Sequence, residues 1–212
     1  TLPATISPVL LGTTLAFHDG DSNPFTFLMT LLAAVLIQIG ANFANDVYDF
    51  EKGSDREDRL GPQRATQSGL ISPTDMKKAM WKIFVLAIGV GFYLAYVGGL
   101  PIVIIGLASI AASISYTGGP YPLGYHGFGE IFVFLFFGLI AVPGTYYLQT
   151  GSVTELSLWL GAVMGMLSTA ILVVNNIRDM ETDIVTGKKT LAVRLGKSFS
   201  QIEFSILVLE ID

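Results

Sequence analysis

The chain has 212 residues, of which 51% are hydrophobic and 14% are charged, whereas soluble domains carry roughly 25% charged residues. The apolar residues form runs of membrane-spanning length, which excludes an ordinary soluble domain and predicts an integral membrane protein. The formal net charge is −5 with acids and bases interleaved, which argues against a nucleic-acid partner, and the absence of cysteine excludes disulfides and zinc–thiolate sites.

Six apolar runs follow one another along the chain, and the second of them, Phe25–Ala44, contains no charged residue. We therefore predict an all-α fold, a polytopic transmembrane helical bundle that forms a single membrane domain over residues 1–212. The predicted spans are Leu2–Phe17, Phe25–Ala44, Ile83–Leu100, the shorter Pro101–Tyr116, Ile131–Leu148 and Leu156–Ile177. Phe204–Leu209 resembles the start of a seventh span, so we expect the domain to be incomplete at its C-terminus.

All 12 Lys and Arg residues lie in two windows, one after the second predicted span and one after the sixth. An even number of spans separates the windows, so both lie on one side of the membrane, and the positive-inside bias makes that side cytoplasmic. The connections around Asp19, Gly98 and Thr150 carry no Lys or Arg and are predicted to lie outside. The windows contain Lys52, Arg56, Arg59, Arg64, Lys77, Lys78 and Lys82, and then Arg178, Lys188, Lys189, Arg194 and Lys197.

Two acidic motifs close the second and the sixth predicted spans. In the first motif, Asn42, Asp46 and Asp49 fall at helical spacings of four and three, so they line one face of a helix together with Asn45 nearby. In the second motif, Asn175, Asp179 and Asp183 are spaced by four residues. One open interpretation is that these carboxylates are solvated and paired with cations such as Arg56, Arg178 or Lys188.

Two acidic motifs at the same membrane edge favour a functional interpretation, because carboxylates are costly there unless a positive charge lies between them. Facing sets of oxygen ligands suit Mg²⁺, which in proteins commonly accompanies a phosphate-bearing substrate. The reaction that fits is departure of diphosphate from an allylic lipid, with apolar walls that keep water away from the resulting cation. We expect no catalytic role for His18 or His126, and Glu130 could be either functional or merely interfacial.

Four stretches of the chain resemble the UbiA superfamily of membrane prenyltransferases, and most closely its branch that prenylates 1,4-dihydroxy-2-naphthoate. They are Asn45–Asp55, Arg59–Gly69, Tyr116–Glu130 and Asn175–Gly196. The resemblance implies nine transmembrane helices and Mg²⁺-dependent transfer of a polyprenyl group from polyprenyl diphosphate to the naphthoate, with decarboxylation, in menaquinone synthesis. It also implies a bacterial cytoplasmic membrane with the active site facing the cytoplasm.

The resemblance assigns roles to individual residues. Many members of the superfamily place a third acid where this chain has Gly53, and the next acid here is Asp55. The implied catalytic residues are Asp46, Asp49, Asp179 and Asp183, and the implied metal ligands are these four with Asp55, Asn45 and Asn175. From the chemistry of the reaction, we assign the leaving diphosphate to the cations Arg56, Arg178, Lys188 and Lys189. The acceptor is assigned to Arg64, Gln67 and Tyr116, because its carboxylate needs a cation and its hydroxyls need polar partners.

Alternative functions remain open at this point. A prenyltransferase of the same superfamily could use 4-hydroxybenzoate, a porphyrin-type ring or a glycerol phosphate lipid as acceptor. A cation or proton transporter would be expected to place acids near the middle of the membrane, and a lipid phosphotransferase of the CDP-alcohol type would carry a DGxxAR signature that this sequence lacks. The sequence does not specify the prenyl chain length or the oligomeric state.

Overall fold

The structure is a computed structural model that describes residues 2–55 and 61–209. Every regular element within these ranges is a helix, which confirms the predicted all-α class. Four helical segments are long and apolar enough to cross a membrane, namely Pro24–Glu51, Pro73–Ser115, Gly129–Thr150 and Glu155–Val185. A shorter apolar helix, α1 (Leu2–His18), precedes them, so the chain is a polytopic membrane protein.

Helix α2 (Pro24–Glu51) carries the first acidic motif on its last turns. It begins where the side chain of Asn23 accepts hydrogen bonds from the backbone amides of Phe25 and Thr26, with Pro24 in the first turn, where the missing N–H is tolerated. The helix continues without a break from its apolar part through Asp49. The predicted common helix for Asn42, Asp46 and Asp49 is therefore confirmed.

Helix α3 (Pro73–Ser115) is a hairpin of two arms, because Gly99 has φ 66° and ψ −156° and reverses the chain. The packing on either side of the turn confirms the reversal. Leu94 and Ile102 belong to one apolar cluster, and Ile110 packs against another cluster that contains Met80 and Phe84. The hairpin agrees with the two predicted spans that meet between Leu100 and Pro101. Only glycine adopts this φ without strain.

The Gly129–Thr150 segment consists of α4 (Gly129–Val133), a π-helical stretch (Phe134–Ile140) and α5 (Ala141–Thr150). The π-helical stretch packs against the next helix at Gly138, where an added Cβ atom would lie 2.5 Å from the carbonyl oxygen of Gly161. Helix α6 (Glu155–Val185) follows after a capping box formed by Thr154 and Ser157. It carries the whole second acidic motif.

Two further helices end the described chain, α7 (Leu191–Leu195) and α8 (Lys197–Leu209). Helix α8 begins at Lys197 and not at the predicted Phe204, because the polar residues from Lys197 to Gln201 already form its first turns against α6. Helix α2 packs along α3, while α6 packs against the π-helical stretch, α7 and α8. This arrangement brings the C-terminal ends of α2 and α6, with their acidic motifs, to the same end of the bundle.

Candidate active site at the mouth of an apolar cavity

Asp49 is the most enclosed acid of the first motif, with 5% of its surface exposed. One of its carboxylate oxygens accepts a hydrogen bond of 2.7 Å from the hydroxyl of Tyr125. The other lies 3.8 Å from the guanidinium of Arg64, which is also 3.7 Å from the carboxylate of Asp55. A single arginine therefore lies between two buried acids, which lowers the cost of burying their charges.

Asp46 has a different set of partners. Its two carboxylate oxygens accept hydrogen bonds of 3.0 Å each from the backbone amides of Ala65 and Thr66. These bonds anchor the turn formed by residues 65–69, which carries Gln67 and follows Arg64. Asp46 thus connects the end of α2 to the segment that was expected to bind the acceptor.

Asn42 and Asn45 extend the first motif toward the interior of the bundle. The side-chain oxygen of Asn45 accepts a hydrogen bond of 3.0 Å from Thr117, and that of Asn42 accepts one of 3.2 Å from Gln38. Both asparagines line the apolar cavity described below. They supply polar groups where the acidic end of the bundle meets its apolar interior.

The second motif divides between an enclosed and an open part. Asp183 has 7% of its surface exposed and lies 4.0 Å from the ammonium group of Lys188. Asp179 forms two hydrogen bonds of 2.7 Å with the neighbouring Arg178, so this arginine is already engaged by an acid of its own motif. Asn175 is half-buried one turn earlier.

The two cations that follow the second motif differ in environment. Lys188 is half-buried and points to the acids, whereas Lys189 is exposed. The backbone amide of Lys189 donates a hydrogen bond of 2.9 Å to the carbonyl of Tyr125. Arg56, the remaining cation assigned to diphosphate, lies outside the described residues.

Tyr125 joins the two motifs, a role that the sequence analysis did not assign to it. A hydroxyl has one proton, so Tyr125 donates to Asp49 and accepts from the hydroxyl of Ser54, 2.6 Å away. Burial and the charge of Asp49 raise the pKa of Tyr125 well above its usual value, which keeps this proton in place. The ammonium groups of Lys188 and Lys52 lie 5.3 Å and 5.7 Å from the centre of its ring, within the range of cation–π attraction.

Tyr116 lies where the two motifs converge. Its hydroxyl is within electrostatic range of Asp49, Asp183 and Glu130, and its ring lines the cavity. The hydroxyl of Tyr116 packs closely against Gly129, where an added Cβ atom would lie 2.8 Å from the hydroxyl oxygen. Tyr116, which the sequence analysis assigned to the acceptor, therefore lies beside acids of both motifs.

Glu130 is buried, with 6% of its surface exposed. One carboxylate oxygen accepts a hydrogen bond of 2.8 Å from the side chain of Asn176. Asn176 was not among the predicted site residues, although it adjoins Asn175 in the sequence. The pair fixes the start of α4 against α6 close to Tyr116.

An apolar cavity of about 550 Å³ extends from these residues into the bundle, a volume in the range of small-molecule sites. Asn45 and Tyr116 line it at the acidic end, and Leu94, Ile102 and Leu148 line it near the α3 turn. The remaining walls are mostly apolar side chains from α1, α2, α3 and the Gly129–Thr150 segment, with Leu172 of α6. Such a cavity suits a hydrocarbon chain whose polar end remains at the acids.

The donor atoms of the site suit a hard divalent cation. Carboxylate oxygens come from Asp49, Asp55 and Asp183, and a carbonyl oxygen comes from Asn45, whereas the sequence has no cysteine to supply a thiolate ligand. Oxygen ligands of this kind favour Mg²⁺. Within residues 2–55 and 61–209, no three acidic or histidine side chains are grouped closely enough to form a metal cluster by themselves. The adjacent Arg64 and Lys188 suit a phosphate-bearing ligand.

Comparison with known proteins gives consistent matches over nearly the whole chain. A sequence model of the UbiA prenyltransferase family matches residues 5–209. The chain is 41% identical over 206 residues to 1,4-dihydroxy-2-naphthoate octaprenyltransferase of Escherichia coli (strain K12), a match that covers 93% of the chain and 66% of that protein. It is 39% identical over 208 residues to the protein of the same name from Mycobacterium tuberculosis, with 98% and 71% covered.

A more distant match is UbiA prenyltransferase domain-containing protein 1 of Homo sapiens, 29% identical over 209 residues, which covers 97% of the chain and 61% of that protein. The chain thus spans 61–71% of the length of these three relatives.

Proposed function

The chain belongs to the UbiA prenyltransferase family, and on that basis we propose that it transfers a polyprenyl group from polyprenyl diphosphate to 1,4-dihydroxy-2-naphthoate, with loss of CO₂, in menaquinone synthesis. The observation that carries the proposal is the convergence of both acidic motifs at the mouth of an apolar cavity. The bacterial relatives named as 1,4-dihydroxy-2-naphthoate octaprenyltransferases support this choice of acceptor. Residues 1–212 would form one prenyltransferase domain.

In this proposal the acidic motifs bind Mg²⁺ together with the diphosphate of the donor. The ligands would be drawn from Asp46, Asp49, Asp55, Asp179, Asp183, Asn45 and Asn175. When bound, Mg²⁺ supplies positive charge that offsets the charge of the leaving diphosphate. Asp49 and Asp183 carry most of this role, because both are buried and they are connected through Tyr125 and Lys188.

The cations of the site offset the charge that develops on the bridging oxygen when the allylic C–O bond breaks. Lys188 is the best placed of them, since it is half-buried beside Asp183 and the ring of Tyr125. Lys189 is exposed and Arg178 is already paired with Asp179, so both make smaller contributions. We assign Arg56 to the same group on the basis of its place in the sequence.

The apolar cavity holds the hydrocarbon chain and protects the reaction from water. Its almost wholly apolar lining keeps water from the allylic carbon, where water would capture the cation and release a free alcohol. Aromatic rings in the wall, including Tyr116 and Phe136, can stabilise the developing cation. Acids at one mouth of the cavity, and apolar residues within it, fit this chemistry better than a transport path for cations or protons.

The acceptor lies between Tyr116 and the segment anchored by Asp46. Arg64 is a partner for the acceptor carboxylate, and Gln67 and Tyr116 are partners for its hydroxyls. The ring carbon that bears the carboxylate forms a bond to the allylic carbon, while the C–O bond to diphosphate breaks with its electron pair on oxygen. The carboxylate then leaves as CO₂, and the electrons of that bond restore the aromatic ring.

The protein would work in the bacterial cytoplasmic membrane with this site facing the cytoplasm. Lys and Arg occur only in the two windows at the end of the bundle that carries the acids, which supports this orientation through the positive-inside bias. Both soluble components of the reaction, the naphthoate and the released diphosphate, would then exchange with the cytoplasm.

The test is to incubate membranes that contain the full-length protein with Mg²⁺, octaprenyl diphosphate and an acceptor labelled at its carboxyl carbon. We expect prenylated product and labelled CO₂ in equal amounts. Prenylated product that retains the label would rule out the decarboxylating reaction. If product formed only with 4-hydroxybenzoate, a porphyrin-type ring or a glycerol phosphate lipid, that compound would be the acceptor in place of the naphthoate.

A further inference from the structure

Two glycines stand in the wall of the apolar cavity where neither turns nor close packing require them. Gly91 and Gly106 lie on the two arms of α3, eight residues before and seven residues after Gly99, and both line the cavity. A Cβ atom added at either position would meet no heavy atom within 4 Å, and neither residue has a positive φ. The backbone therefore accommodates a side chain at both positions.

The absence of side chains at these positions has a cost that packing does not explain. A glycine inside a helix destabilises it by about 1 kcal/mol relative to alanine. Gly40 of α2 illustrates the usual compensation, because a Cβ atom there would lie 2.5 Å from the ring of Phe84. Gly91 and Gly106 have no such neighbour among the described residues, so what they provide is open space.

The open space lies where the cavity reaches the surface of the bundle. Several side chains of α3, from both of its arms, line the cavity and are also exposed, which means that the cavity reaches the surface of the described bundle along α3. They are Ile88 (41% exposed), Phe92 (74%), Val103 (38%) and Leu107 (59%). Gly91 and Gly106 lie next to these residues in the sequence. Gly106 is ten residues from Tyr116, which corresponds to about 15 Å along the helix.

We propose that Gly91 and Gly106 form the outlet through which the distal part of a long polyprenyl chain leaves the cavity toward the lipid, and that these two positions determine which donor lengths are accepted. The inference rests on the proposed function, since it takes a polyprenyl diphosphate as the ligand. A short donor ends inside the cavity and does not reach the outlet. A long donor passes between the arms, where a side chain at either glycine would obstruct it.

The experiment compares two donors in each variant. Full-length Gly91→Leu and Gly106→Leu proteins are reconstituted in lipid vesicles, and kcat/KM is measured with geranyl diphosphate and with octaprenyl diphosphate. We expect the ratio of octaprenyl to geranyl kcat/KM to fall by about tenfold or more, the size expected when an apolar site loses its fit to a ligand. Gly91→Ala and Gly106→Ala, which disturb folding least, should change the ratio in the same direction to a smaller degree.

Gly89→Leu is the matched control. Gly89 lies on the same arm and also has open space around its Cβ position, but it does not line the cavity. Its substitution should leave the donor ratio unchanged, and the folded fraction of all variants is checked by size-exclusion chromatography.

An equal loss of activity with both donors, or an unchanged ratio in the alanine and leucine variants, would overturn the inference while the proposed function stands. A wild-type protein that transfers neither donor to any acceptor would overturn the proposed function and this inference together.

Discussion

At the scale of single residues, the site depends on one tyrosine, Tyr125, whose different groups contact both halves of the acidic end. Tyr125 donates to Asp49 from the loop that precedes α4, while its ring and its backbone carbonyl contact Lys188 and Lys189. The loop can therefore hold the orientation of Asp49 and the position of Lys188 at the same time. Removing the hydroxyl should separate these two effects, because the ring remains.

We predict that Tyr125→Phe lowers kcat for prenyl transfer by about 10- to 100-fold, since a hydrogen bond to a charged group is worth about 1.5–3 kcal/mol. The ring contacts with Lys188 and Lys52 should persist. The measurement is steady-state kinetics with both substrates varied in turn. Tyr121→Phe is the control, because Tyr121 belongs to the same loop but stacks on His126 and is 55% exposed. Equal losses in the two variants would assign the effect to the loop as a whole.

The metal role of the motifs gives a second prediction at this scale. Asp49→Ala and Asp183→Ala should each abolish turnover and remove Mg²⁺-dependent binding of polyprenyl diphosphate, because each removes an enclosed oxygen ligand. Asp75→Ala is a matched control, since Asp75 is an exposed acid that pairs with Ser72 and Lys78 at the start of α3. The measurement is donor binding with and without Mg²⁺. Binding that keeps its Mg²⁺ dependence in both site variants would contradict the assignment.

At the scale of elements, Asp46 joins the last turns of α2 to the turn of residues 65–69. Both of its carboxylate oxygens accept hydrogen bonds from backbone amides. Hydrogen bonds of this kind hold a loop in one conformation. Gln67 lies in this turn and Arg64 directly precedes it, so two of the three residues assigned to the acceptor depend on its position. The acid would therefore affect acceptor binding through the loop, whether or not it also contacts a metal.

We predict that Asp46→Ala increases hydrogen exchange at Ala65 and Thr66 by about tenfold or more, since the loss of hydrogen bonds to a charged acceptor removes about 1.5–3 kcal/mol of local stability. The measurement is amide hydrogen exchange of the protein in detergent or vesicles. Asp179→Ala serves as the comparison, because Asp179 bonds to Arg178 and not to this segment. Unchanged exchange in Asp46→Ala would show that other contacts hold the turn.

At the scale of the whole molecule, the charge distribution and the geometry agree on one functional end. Every described Lys and Arg lies near the ends of α2 and α6 or in the segments that follow them, at the end of the bundle that carries the acids. The opposite end is connected by Gly99 within α3 and by the turn at Gly151 after α5. An asymmetric membrane protein with one polar mouth follows from this distribution.

We predict that single cysteines placed at Leu70 and at Val153 react with a membrane-impermeant thiol reagent from opposite sides of the membrane. Both positions are exposed, at 80% and 52%, and the protein has no cysteine of its own. The cysteine at position 70 should react only when the cytoplasmic face is accessible, because of the positive-inside bias. Labelling of both from the same side would refute the predicted topology.

Much of this protein could be predicted from its sequence by itself. Apolar runs of membrane length determine an all-α bundle, because a backbone in hydrocarbon must satisfy its own hydrogen bonds. The spacing of Asn42, Asp46 and Asp49 placed them on one helix. The boundary between the two spans predicted to meet at Leu100 and Pro101 marked the region where α3 turns back. These features are local, since they depend on composition, helical period and turn chemistry.

The tertiary structure alone decided which side chains meet. Tyr125 lies 76 positions from Asp49 in the sequence, and Asn176 lies 46 positions from Glu130, so no local pattern could pair them. The structure also separated the two adjacent asparagines of α6, because Asn176 faces the buried Glu130 while Asn175 remains half-buried. Even the space at Gly91 and Gly106 depends on folding, because a cavity exists only between elements that pack against one another.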